Sequence, residues 1–86
     1  MGRSAWPAWW TWDLLLSPHV LERMVDRGFD EVDLRVMLED ASALYAGLEP
    51  GRWVAQTRHR GRPWEVILEP DPSRHLLIVV TAYGVS

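Results

Sequence analysis

The chain has 86 residues, 48% of them hydrophobic and 24% charged, which suits one folded domain and argues against disorder. It has no cysteine, and all nine of its basic residues are arginine, so disulfides, thiolate metal sites, cysteine nucleophiles and lysine chemistry are excluded. The net charge of −3 is a poor start for a nucleic-acid binder, but it is unevenly spread. Residues 1–49 carry nine acids and four arginines, whereas residues 50–86 carry three acids and five arginines, and no acid falls within Arg52–Arg62.

The chain opens on a Trp-rich stretch, with Trp6, Trp9, Trp10 and Trp12 in the first twelve residues. Residues 1–12 are read as an N-terminal arm, its first eight residues loose, and 13–86 as a single domain. The tryptophans either pack over an open core edge or form a docking patch, which would also give a route to an oligomer. No stretch has the length of apolar sequence that crosses a membrane, and no secretory signal pattern is present. With the absence of cysteine this points to the cytoplasm.

Thr11–Leu16 alternates like a short strand. Ser17-Pro18 marks a helix start, because Ser17 caps free N–H groups and proline at the first helical position loses no bond. That helix runs to about Arg27, with Gly28 as its left-handed cap. Asp30 caps a second helix to about Asp40, and the two helices are expected to form a hairpin. Leu44-Tyr45-Ala46 is a short extended piece ending at the Pro50-Gly51 turn. Strands follow over Arg52–Arg58, Arg62–Glu69 and His75–Tyr83, joined by turns at His59-Arg60-Gly61 and Pro70–Ser73. Trp64, Val66 and Leu68 share a face of the middle strand. The run Ile78-Val79-Val80-Thr81 predicts a central strand covered on both faces. The expected fold class is α+β: a two-helix hairpin packed on a three- to four-stranded antiparallel sheet.

Two groups of residues carry chemistry. His19, Arg23 and Arg27 are four apart and form one row of the first helix. A neutral imidazole accepts a proton, which suits a general base, and the alternative is a solvated face with local ion pairs. Arg58, His59, Arg60 and Arg62 crowd one hairpin turn. Guanidinium groups bind phosphate in a bidentate manner, and the alternative is a charged sheet edge that repels strand addition. On the last strand, Thr81 and Tyr83 face opposite to Ile78, Val80 and Ala82. If the even positions meet the helices, Thr81 and Tyr83 look out from the open sheet face, where Gln56, Arg58, Glu65 and Glu69 join them. His19, His59 and His75 lack metal-ligand spacing, so no metal and no cofactor is expected.

The segment His19-Val20-Leu21-Glu22-Arg23-Met24-Val25-Asp26-Arg27-Gly28 resembles the His-x-x-x-Arg-x-x-x-Arg-Gly opening of small bacterial domains of unknown function in the RelE/ParE-like toxin superfamily. Gly51-Arg52-Trp53-Val54 and the terminal Val79-Val80-Thr81-Ala82-Tyr83 extend the likeness over residues 13–84, and BrnT-type toxins are a weaker match. The resemblance implies the toxin of a toxin–antitoxin pair, with a cognate antitoxin as partner. It also implies a metal-independent endoribonuclease that cleaves messenger RNA by 2′-hydroxyl attack. In that reading His19 moves the proton, Arg23 steadies the phosphate, Tyr83 completes the catalytic set, and Arg27 and Thr81 bind substrate. Arg58 joins the substrate contacts from strand geometry alone. The same superfamily includes toxins that inhibit gyrase without hydrolysis, so a non-enzymatic toxin or binding module acting through protein contacts is the alternative.

Overall fold

The computed structural model describes residues 6–85; residues 1–5, which include part of the expected loose arm, lie outside the described residues. A 3-10 turn over Ala8–Thr11 leads into β1 (Asp13–Leu16), α1 (Pro18–Arg27), α2 (Glu31–Glu39), β2 (Ala43–Ala46), β3 (Trp53–His59), β4 (Arg62–Asp71) and β5 (Leu76–Gly84). The five strands form one mixed sheet in the order β1-β5-β4-β3-β2. β2 to β5 are an antiparallel meander, and β1 lies parallel to β5, Asp13 beside Leu76 and Leu16 beside Val79.

This corrects the expected hairpin on a three- to four-stranded antiparallel sheet. The short segment before α1 becomes a fifth strand, and its parallel pairing makes the sheet mixed. Tight turns force antiparallel neighbours among β3, β4 and β5, but no turn constrains β1, which is free to fill the open edge of β5. The helices do not pair as a packed hairpin: α1, with Val20 buried, packs on β5, and α2, with Leu34, Met37 and Leu38 buried, packs on β3.

Both helices start as their sequences dictate. The Ser17 hydroxyl accepts from the Val20 N–H at 3.1 Å and donates to the Val80 carbonyl at 2.7 Å, so one side chain caps α1 and ties it to β5. A cap of this kind contributes about 1 kcal/mol. Asp30 and Asp33 form a reciprocal capping box at the start of α2, each carboxylate accepting from the other's backbone N–H. Gly28 ends α1 in the left-handed region at φ 71°.

The core lies between the helices and one sheet face. Val20, Leu34, Met37 and Leu38 meet Ala55, Val66, Leu68, Leu77, Val79 and Ala82, and the buried Thr57 hydroxyl donates to the Met37 carbonyl. Trp6, Trp9, Trp10 and Trp12 are partly buried against this core, with the Trp9 ring 5.5 Å from that of Trp53 and Trp12 4.1 Å from His75. Among the described residues no helix lies on the second sheet face, so β5 is covered by them on one face only, and the expectation of two covered faces is corrected.

The parity of β5 also differs from the alternation expected. Ile67 pairs with Thr81 but Leu68 with Val79, which leaves Val80 as the extra residue of a bulge. Leu77 and Val79 therefore face the core before the bulge and Ala82 after it. Ile78, expected on the helix side, instead pairs with Glu69 on the open face, while Thr81 and Tyr83 do stand opposite Ala82.

The β4–β5 turn is held by Asp71. Its carboxylate accepts from the Ser73 hydroxyl at 2.7 Å and from Arg74 Nε at 2.7 Å, and these bonds lower its pKa from 3.8 to about 2. The folded value lies below the unfolded one, so what this carboxylate contributes to stability is complete above pH 3.8 and fades as the pH falls through about 2. An NMR titration of the Asp71 carboxyl carbon is expected to give a midpoint near 2 in the intact protein, moving up in Arg74→Ala.

Candidate functional site

The described arginines fall into two classes. Arg35 pairs with Glu31, Arg52 with Glu49 and Glu69, and Arg74 with Asp71. Among the described residues, the side chains of Arg23, Arg27, Arg58, Arg60 and Arg62 make neither an ion pair nor a hydrogen bond. These five are the arginines of the α1 row and the β3–β4 turn. Neither Glu22 nor Asp26 pairs with the row, so the local ion pairs of a solvated helix face do not form. Free guanidinium groups keep their donors available for an anion from solution.

Packing brings the Arg27 end of the α1 row to the β3–β4 hairpin. Gly28 turns the chain so that Phe29, two residues after Arg27, is buried against the hairpin. Its ring lies 5.2 Å from Trp64 and 6.3 Å from His59, and His59 lies 5.3 Å from Trp64. This aromatic triangle seats the C-terminal end of α1 beside the turn that carries Arg58, Arg60 and Arg62.

The turn itself stores strain. His59 pairs with Arg62 around Arg60 and Gly61, which take φ values of 54° and 76°. Two-residue turns of this kind favour Asn-Gly, and a bulky residue at positive φ costs roughly 1 kcal/mol. Arg60→Asn is expected to hold or raise the melting temperature, while weakening the binding of a polyanion.

The α1 row stands apart from Tyr83. His19 and Arg27 are exposed and Arg23 half-buried. α1 packs on the core face of β5, whereas Tyr83 points from the other face. No hydrogen bond or ion pair among the described residues joins His19 to Tyr83, so the structure does not bring the three expected catalytic residues into one contact set.

On the open face, Tyr83 belongs to a different cluster. Its hydroxyl donates to Glu65 Oε1 at 2.8 Å, the Tyr45 hydroxyl donates to Glu65 Oε2 at 3.0 Å, and Gln56 Nε2 donates to the Tyr45 oxygen at 3.4 Å. Burial, and then the bond to Glu65, push the Tyr83 hydroxyl above the ordinary phenol range, so it stays protonated and acts as a donor. The cluster borders a groove of about 450 Å³ lined by Val54, Ile67 and Arg52 among others. Arg58 shares this face, two residues beyond Gln56 on β3. Sequence reasoning grouped Tyr83, Gln56, Arg58 and Glu65 here but missed Tyr45. A lone tyrosine in a four-residue strand gives no signal until the β2–β3 register sets it opposite Val54.

Thr81 sits in the bulge, and its hydroxyl Oγ1 is buried without a hydrogen-bond partner. A buried unpaired hydroxyl costs about 1–3 kcal/mol. Thr81→Val keeps the shape and removes the orphan, so it is expected to raise unfolding free energy by roughly 1 kcal/mol in urea titrations.

Among the described residues, no group of three or more His, Asp or Glu is placed to hold a metal ion, and no helix is long and apolar enough to cross a membrane. Residues 16–84 match the family described as a domain of unknown function (DUF4258). No curated protein and no solved structure matches the chain.

Proposed function

The chain belongs to the DUF4258 family, and for this member of it we propose an RNA-binding and RNA-cleaving role, as the cytoplasmic toxin of a toxin–antitoxin pair. The observation that carries the reading is the set of five arginines without acid partners, Arg23, Arg27, Arg58, Arg60 and Arg62, on α1 and the adjoining hairpin. The other described arginines are all ion-paired, so among the described residues the unpaired positive charge lies on these two elements despite a net charge of −3. Such a patch attracts a phosphate backbone. The likeness of the α1 and β5 motifs to the RelE/ParE-like toxins supports cleavage as the outcome of binding.

The chemistry needs no group beyond the side chains. The RNA 2′-hydroxyl attacks the adjacent phosphorus while His19 takes its proton. The bond from phosphorus to the 5′-oxygen breaks, that oxygen leaves as an alcohol on taking a proton from water, and His19 returns its own proton to solvent. The products are a 2′,3′-cyclic phosphate and a 5′-hydroxyl. Arg23, one helical turn after His19, offsets the charge that develops on the phosphorane, and Arg27 and Arg58 hold neighbouring phosphates. Tyr83, protonated and committed to Glu65, orients substrate on the open face instead of taking a proton.

A separate observation favours the protein-contact alternative. Leu21 and Val25 on α1 and Val32 and Val36 on α2 are exposed apolar pairs, each spaced by one turn, on the layer a cognate antitoxin or target protein could cover. Induction in a bacterial host separates the two. Growth arrest with RNA cleavage that disappears in His19→Ala supports the nuclease. Arrest with intact RNA favours protein contact, and normal growth with folded protein present sinks the toxin reading.

A further inference from the structure

We propose that the Tyr45–Glu65–Tyr83 cluster on the open sheet face is a guanine-reading site, which rests on the RNA reading above and deepens it. Glu65 projects from the centre of the sheet between two tyrosines, one from β2 and one from β5, and each of its oxygens accepts one phenol. A carboxylate oxygen has two lone-pair directions, so each oxygen retains one acceptor site. The neighbouring acids Glu49 and Glu69 are both held by Arg52, which leaves Glu65 as the groove carboxylate without a cation among the described residues.

A pair of adjacent acceptors selects a pair of adjacent donors. Among the bases, guanine alone presents two neighbouring N–H donors, N1 and N2, on its pairing edge. Adenine and cytosine each offer one amino group beside an acceptor, and uracil sets its single N–H between two carbonyls that a carboxylate repels. The walls suit a flat, partly apolar ring: the Tyr45 and Tyr83 rings, Val54 and Ile67 border a groove of about 450 Å³. Gln56 fixes the Tyr45 hydroxyl and thereby the cluster's geometry.

The placement also fits an RNA strand rather than a free base. Arg58 lies on the same face, four residues beyond Val54 of the groove and roughly 13 Å along the strand, which suits a phosphate further along an RNA strand than the guanine's own. That unpaired cation also disfavours a basic peptide as the occupant, although an arginine side chain carries a similar donor pair. A guanine held here continues onto the arginine-bearing hairpin end.

Titration of the intact protein with the four free ribonucleosides, and with single-stranded oligomers of adenosine with and without a central guanosine, tests the site. Guanosine is expected to shift NMR signals of Tyr45, Glu65 and Tyr83, with adenosine, cytidine and uridine at least about tenfold weaker, the order of a bidentate base contact. Glu65→Gln is expected to erase that preference without lowering the affinity for the guanosine-free oligomer, which the lost negative charge should if anything raise. Tyr83→Phe, which keeps the ring, is expected to reduce the preference only partly. Oligomers that bind without base preference overturn the guanine site and leave the RNA reading intact. Guanosine binding without oligomer binding keeps the site and overturns the RNA reading, and no binding of either overturns both. An arginine-rich peptide that displaces guanosine or binds more tightly than it also overturns the assignment.

Discussion

Replacing Arg58 by Ala, Arg60 by Asn and Arg62 by Ala together is expected to weaken binding of single-stranded RNA by roughly 30- to 150-fold at low salt. Each exposed contact between guanidinium and phosphate is worth about 0.7–1 kcal/mol, and every 1.4 kcal/mol is tenfold. The loss should be the same for all base sequences, because phosphate contacts carry no sequence information. The logarithm of affinity against that of salt should also flatten, by about 0.7 for each lost contact. These side chains have no partner among the described residues, so unfolding free energy should not fall by more than about 0.5 kcal/mol, and Arg60→Asn should raise it by relieving the positive φ. A double change at the ion-paired Arg35 and Arg74, which lie outside the groove, is the control, and it is expected to leave RNA affinity nearly unchanged.

His19→Ala is expected to slow RNA cleavage by about 100- to 10,000-fold, the range of a lost general base or acid. His19 is exposed on α1 and lies outside the core cluster, so both fold and RNA affinity should survive. Added imidazole should restore part of the rate, an effect that a lost phosphate contact would not produce. Arg23→Ala differs in kind: it should lower the rate and the affinity together. Tyr83→Phe should slow cleavage much less than His19→Ala, since the Tyr83 hydroxyl is already committed to Glu65.

The parts of this fold that are readable in the sequence are those set by local chemistry. Ser17-Pro18 and Gly28 mark α1 at both ends, and Asp30 marks the start of α2, because capping depends on residues within one turn of each other. The β3–β4 hairpin follows from Arg60-Gly61, and the inward face of β4 from the alternation of Trp64, Val66 and Leu68. The parallel pairing of β1 with β5 joins residues more than sixty positions apart, and no local signal announces it. The bulge at Val80 hides in a run of β-branched residues that has no alternation to break, so the parity of Leu77 and Val79 comes only from the register with Leu68.

The candidate site was legible to the same degree. His19, Arg23 and Arg27 form a row by spacing alone, and the charge of the hairpin turn is plain in Arg58, Arg60 and Arg62. Their lack of acid partners is a tertiary fact, since Glu22 and Asp26 stand close in sequence yet form no bridge to them. Glu65 and Tyr83 were placed on one face, but the second tyrosine came from β2, whose position beside β3 only the sheet register fixes. The net charge does not describe the row and the hairpin turn, because Glu31, Glu49, Glu69 and Asp71 pair with Arg35, Arg52 and Arg74 instead.

The most direct test is to mix the purified protein with single-stranded RNA in excess chelator and to analyse the ends of any fragments. The account predicts cleavage that leaves 2′,3′-cyclic phosphate and 5′-hydroxyl ends and that is absent with His19→Ala. RNA that remains intact beside folded wild-type protein, or fragments bearing 5′-phosphate ends, would contradict it.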